Sequence, residues 1–153
     1  MAALGSFVAG QVLTAAELNA VGDFTTYTPT FTGLTVGDGT LFAAYAPVNE
    51  LVFLQIQVEF GSTTAITGGV TCTYPVTADD TYRDGISGSV MFRDNDTTDV
   101  FHGVVAPSSG TIFNIRALDA SGTYVKHTNI SGTIPFTWAT SDRLVVSHWF
   151  RPG

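Results

Sequence analysis

The residues able to do chemistry are three histidines, one cysteine and several clustered aspartates. His102, His127 and His148 are far apart, and none has a second His or a Glu at helical spacing, so the pattern assembles no metal site. His148 falls on the apolar side of an alternating segment, where a hydrogen-bonded core or interface imidazole is the expected role. Cys72 alternates with threonines ahead of Tyr74 and reads as a buried strand residue, not a nucleophile. Asp94-Asn95-Asp96 with Asp99 superficially suits a hard cation, since alternating carboxylates supply oxygen ligands. The glycine and terminal glutamate of a calcium loop are absent and Thr97-Thr98 fill the middle, which favours a solvated hairpin turn. Asp79-Asp80 and Asp84 flank Tyr82-Arg83 in what reads as an exposed loop.

Catalysis has little to stand on. Paired carboxylates work only when they converge across a cleft, and no particular pair is marked here. There is no nucleophile elbow, phosphate-binding loop or Cys–His signature, and Gly85-Ile86-Ser87-Gly88-Ser89 has the wrong spacing for the first of these. The expectation is a non-enzymatic protein without metal or cofactor. Carbohydrate binding is a stronger rival, because loop aromatics stack on sugar rings while carboxylates accept from hydroxyls. Tyr82 and Tyr124 with Asp84 and Asp96 are the candidates, on loops around 79–84, 94–99 and 119–127. Trp138 and Trp149 stand in strand-like contexts and read as core or interface.

These residues need a scaffold, and composition names its class. The chain has 153 residues, 44% hydrophobic and only 12% charged, with 16 Gly and 11 Phe. Charge is about half the usual share for a globular domain. The Thr, Phe, Val and Tyr content fits pleated, half-buried surfaces. Six basic against thirteen acidic residues give −7, which opposes nucleic-acid binding and attraction to anionic membranes. No run reaches the roughly 18 apolar residues that span a bilayer, and the first residues lack the pattern of a secretory signal. One cysteine permits no intrachain disulfide.

From Phe24 onward a two-residue period dominates. Leu54-Gln55-Ile56-Gln57-Val58-Glu59-Phe60 is its clearest case, and 130–138 and 144–150 follow the same rule. Further strands are expected at 24–31, 40–46, 69–76, 86–93, 99–105 and 111–118, separated by Gly, Asp, Asn and Ser turn signals. About nine short strands without helices between them predict an all-β antiparallel sandwich, jelly-roll-like, over 23–153. Val145 and Trp149 oppose the Leu144 set, and Met91 opposes Val90 and Phe92. With so little charge elsewhere, these outward apolar residues predict either a covering subunit or a covering N-terminal helix.

Residues 1–22 have a different texture. Thr14-Ala15-Ala16-Glu17 has the form of a capping box, and Leu13 and Leu18 are placed as a hydrophobic staple. Ala15 to Val21 would form the short helix, with Gly22 as its stop. Two turns of helix do not hold in water alone, so the segment needs a surface. Either it plugs one end of the β domain or it is a docking peptide for a partner.

The stretch Phe7-Val8-Ala9-Gly10-Gln11-Val12-Leu13-Thr14-Ala15-Ala16-Glu17-Leu18-Asn19 resembles the leader of many tailed-bacteriophage tail-fibre, minor tail and other virion proteins. Tyr27-Thr28-Pro29-Thr30-Phe31-Thr32-Gly33-Leu34-Thr35-Val36-Gly37-Asp38-Gly39-Thr40-Leu41 resembles the opening of a β-rich domain common among them. The likeness continues in Phe60-Gly61-Ser62-Thr63-Thr64 and Tyr74-Pro75-Val76-Thr77, fades over 78–128, and returns in Pro135-Phe136-Thr137-Trp138-Ala139-Thr140-Ser141-Asp142-Arg143-Leu144. The resemblance implies a virion structural component, usually a homotrimer, with an N-terminal anchor and an outward β domain. It also implies other virion proteins of tail, neck or capsid as partners, after assembly in the host cytoplasm. Without a coiled-coil or β-helical shaft, a compact knob or head decoration is favoured over a long fibre. Leu4, Phe7, Val12, Leu13, Thr14, Glu17 and Leu18 are then the expected anchor residues. The alternative is a receptor-binding module of the tail that recognises host surface glycans.

Overall fold

The computed structural model describes Val12 and residues 22–48, 50–82 and 87–153. Leu4, Phe7, Leu13, Thr14, Glu17 and Leu18, and with them the expected anchor helix, lie outside the described residues. Val12 is exposed.

The described chain is all-β and antiparallel. Its strands are β1 (Thr25–Thr26), β2 (Phe31–Thr35), β3 (Thr40–Val48), β4 (Leu51–Glu59), β5 (Ala65–Thr73), β6 (Gly88–Arg93), β7 (Val100–Pro107), β8 (Ile112–Asp119), β9 (Lys126–Asn129) and β10 (Arg143–Phe150). One 3-10 turn, Asp80–Tyr82, interrupts them. They form a single sheet in the order β1-β3-β4-β10-β6-β7-β8-β5-β2, with β9 beside the second half of β8. The sandwich-like character comes from curling of this one sheet around one core.

Alternation explains why the sheet curls. Val52, Leu54, Ile56 and Val58 of β4 are buried, and so are Leu144, Val146, His148 and Phe150 of β10. Val90 and Phe92 from β6 and Phe113, Ile115 and Ala117 from β8 join the same cluster, as do Val70 and Cys72 from β5. Burying each of the Val, Leu, Ile and Phe side chains among these contributes about 1.5–3 kcal/mol, and only a curled sheet lets strands from all parts of the order share one interior.

Closure of that curl rests on residues 25–35. Thr25 and Thr26 pair with Tyr45 and Ala44 at one end of the sheet, and Tyr27 still donates its amide to the Ala43 carbonyl at 3.1 Å. Four residues later, Phe31 and Thr32 pair with Cys72 and Thr71 at the other end. Between them the Thr73 amide donates to the Thr30 carbonyl at 3.1 Å, and the Thr30 amide to the Thr73 hydroxyl at 2.9 Å. The Tyr27 ring packs edge-on against Tyr45, 5.9 Å away, while its hydroxyl reaches the Thr73 carbonyl at 3.5 Å. One short segment thus holds both ends of a ten-stranded sheet.

Two expectations need correction. The alternating stretch 130–138 is not a strand. Ser131 and Ile134 bond to each other across a tight turn, the Trp138 indole donates to the Ser131 carbonyl at 3.0 Å, and Phe136 and Trp138 cover the flank of the core. Its alternation reflects a loop that turns successive rings inward. Conversely β9, whose Lys-His-Thr-Asn sequence has no apolar residue, lies in a region expected to be a loop. It is an edge strand aligned by its ladder with β8 and by a Lys126–Asp119 contact at 3.5 Å.

The closing segment also needs a bulge. Pairing between β2 and β5 slips between Thr32 and Leu34, where Gly33 takes φ of 77°. A Cβ there would sit 2.4 Å from the Gly69 carbonyl oxygen. Only glycine meets both conditions. Gly33→Ala is therefore expected to lower unfolding free energy in urea by about 2 kcal/mol or more. Gly122→Ala, at an uncrowded loop position, should stay within about 0.5 kcal/mol of wild type.

Candidate functional site

At one end of the sheet, the turns joining β2 to β3 and β4 to β5 meet around Asp38. Its carboxylate accepts from the Ser62 hydroxyl at 2.6 Å, the Thr63 amide at 2.7 Å and the Thr63 hydroxyl at 2.8 Å. The Ser62 hydroxyl first, then the Thr63 amide and hydroxyl, hold the Asp38 carboxyl well below the usual carboxylate range. Beneath them the Thr64 hydroxyl donates to the Val36 carbonyl.

A second carboxylate fixes the same end from inside. Asp142 is fully buried and accepts from the Ala139 amide at 2.6 Å and the Asn95 amide at 2.8 Å. Its own carbonyl accepts from the Phe60 amide, and the Ser141 amide donates to Phe60. The Phe60 ring stacks on Trp138 with centroids 4.5 Å apart. Asp142 thereby joins the β4 terminus, the β6–β7 turn and the approach to β10, a structural role the sequence reading did not assign.

The other end holds the buried histidine. The His148 ring nitrogens lie 2.8 Å from the Ser87 carbonyl and 3.2 Å from the Tyr74 hydroxyl. A carbonyl can only accept, so Nδ1 carries the proton and the neutral Nε2 accepts from Tyr74. Tyr74, Phe113 and Phe150 surround the ring at centroid distances of 5.4–5.6 Å, and Tyr74 packs 4.9 Å from Phe113 and 4.6 Å from Phe150. Burial pushes His148 down from 6.5 to about 4, against a smaller opposite effect of the Ser87 carbonyl. Nearby, desolvation raises the Cys72 thiol to about 12, leaving it protonated and inert at neutral pH.

Beside this box opens a cavity of about 170 Å³, with Tyr74, Asp79, Ser87, Ser109, Trp149 and Arg151 among its lining residues. Among the described residues the Ser87 hydroxyl has no hydrogen-bond partner. Asp79 accepts from the Thr81 amide at 2.9 Å, and Thr81 holds its carboxyl below the ordinary value.

The proposed glycan residues do not come together. Asp96 lies on the β6–β7 turn and Tyr124 on the β8–β9 loop, both toward the Asp38 end, and both are exposed. The backbone of Tyr82 belongs to the 3-10 turn at the opposite end, and Asp84 lies outside the described residues. The Asp94–Asp99 loop is the expected hairpin turn, with Asp94 accepting from the Asp96 and Thr97 amides. Among the described residues no three His, Cys, Asp or Glu gather as a metal site, and no helix is long and apolar enough to cross a membrane.

No family model, curated protein or solved structure matches the chain. Functional reading therefore rests on the molecule's own surfaces. One of these is the outer face of β3, β4, β10 and β6. Register places Phe42, Gln57, Val145 and Met91 in one row across it and Ala46, Phe53 and Trp149 in another. Phe53 packs 4.5 Å from Trp149 and 6.0 Å from Phe24. Phe24, Phe42 and Trp149 are about half exposed, at 53%, 54% and 46%. Trp149 is thus an outward surface residue of the strand, and Trp138 a flank of the core.

His148 gives a pH signature. Between about pH 4 and 6.5 the unfolded chain binds a proton that the folded chain refuses. The contribution is complete above 6.5 and is lost as pH falls toward 4, an effect on the order of 3 kcal/mol. Urea midpoints measured from pH 7 to 4 should fall, and His148→Gln should flatten the slope in that window.

Proposed function

We propose that the protein is a non-enzymatic structural component of a bacteriophage virion, a compact homotrimeric knob or decoration attached through its N-terminal segment. One observation carries most weight beside the resemblance of the leader. Parts of three stretches similar to phage virion proteins, 27–41, 60–64 and 135–144, build a single corner of the fold. Asp38 bonds to Ser62 and Thr63, Phe60 bonds to Ser141 and Asp142, and the Phe60 ring stacks on Trp138. The first part of 27–41 also supplies the closing segment. The resemblance therefore falls on residues that fix this corner and the closure of the sheet, which supports a shared framework outside 78–128, where the likeness fades. A β block with few charged residues suits repeated placement on a particle.

A second reading has its own observation. The cavity beside Tyr74 combines an unpartnered hydroxyl, a carboxylate, a guanidinium and an indole, a set that suits one unit of a neutral host-surface saccharide. Such a site would serve adsorption, and it contains none of Tyr82, Asp84, Asp96 and Tyr124.

Immunogold microscopy of intact particles tests the first reading. Gold on the virion supports it, on capsid or tail as the case is, and absence of label overturns it. A chain lacking residues 1–22 is expected to stay folded by circular dichroism yet fail to enter particles. For the second reading, Asp79→Ala and Arg151→Ala should each reduce binding on a host glycan panel at least tenfold, whereas a wild-type protein that binds no glycan removes it.

A further inference from the structure

We infer that the outer face of β3, β4, β10 and β6 is the surface through which copies of this chain bind one another. The inference gives a location to the oligomer in the reading above, and it stands without the virion part of that reading.

Charge identifies the occupant. The chain carries −7, yet of its thirteen acidic residues only Glu59 occupies an outward position on these four strands. Glu59 is already held by the Arg143 guanidinium at 2.9 Å, and the neighbouring outward residue in the same row is Arg93. The face is therefore faintly positive on a strongly negative molecule. Two copies repel one another through most approaches and meet without repulsion through this one.

Shape and size agree. The rows nearest the middle hold apolar or uncharged side chains: Phe42, Gln57, Val145 and Met91 in one, and Gln55, Ser147 and Ser89 in the next, beside the already buried Ala44. At roughly 4.8 Å between strands and 3.3 Å per residue, four strands give a face of roughly 500 Å² in plan. Side-chain relief and the Phe24 ring bring its accessible area toward the ~800 Å² that each partner contributes to a stable interface. Half-exposed Phe24, Phe42 and Trp149 add roughly 100 Å² of aromatic surface each, the anchors such interfaces use.

Sedimentation velocity of the full chain at micromolar concentration tests the proposal. The expected result is a multiple of the 16.2 kDa protomer. Phe42→Asp and, separately, Gln57→Lys should weaken association at least tenfold. Both positions are exposed, so circular dichroism and the urea midpoint should stay close to wild type. A monomeric full chain overturns the proposal, including the case in which the chain's own leader covers the face. Folded variants that keep the wild-type mass also overturn it. Particle labelling is read separately, so a chain that labels virions but sediments as a monomer defeats this interface alone.

Discussion

Everything in this fold depends on one chain segment belonging to both ends of the sheet. A curled sheet with two free ends would leave ladder groups unpaired and an interior open along a seam. Here residues 25–35 leave β3 and reach β5 within a single extended stretch, and Thr30 and Thr73 exchange hydrogen bonds where the crossing is made. The seam is then filled by Tyr27, whose hydroxyl is pushed above its ordinary value by burial. The Gly33 bulge follows from that geometry, since the strand has to bend to serve two partners.

The buried carboxylate and the buried imidazole do related work at opposite ends. Asp142 gathers backbone amides from three connections, and His148 joins the start of β6 to the segment after β5. Buried polar groups are costly when unpaired and specific when paired, so each fixes its end of the barrel-like curl in one arrangement. Phe92 depends on similar fitting, because a side chain at Gly103 would lie 2.6 Å from its ring.

Strict alternation made the central strands legible. Leu54 to Glu59 has a clean polar face and lies in a strand with the expected inward set, with Phe60 buried just past its end, and the inward Leu144 set and buried Cys72 follow from the same rule. The same rule misread 130–138, because a loop packing Ile130, Phe136 and Trp138 inward reproduces a period of two without a ladder. β9 carried no such signal, since its place is fixed by the neighbour it pairs with and not by burial. Closure was hidden for a comparable reason: nothing in a local pattern says that two adjacent short strands serve opposite ends of a sheet. The candidate sugar residues were chosen by type and loop context, and those criteria do not encode which end of the strands a loop occupies. Asp142, by contrast, stands three residues after Ala139 beside a Ser-Asp turn signal, a cue that reads as solvated until its partners are seen.

The short ends of the sheet have a consequence for crowding. β1 offers two residues, β2 is bent by its bulge, and β9 is four polar residues carrying a lysine. None is a flat template on which another chain could lengthen a ladder. Copies held side by side at high local density are thus steered away from strand exchange and fibre growth, and contact between them is left to faces. A surface tiled with this protein could stay an ordered lattice of separate folded units.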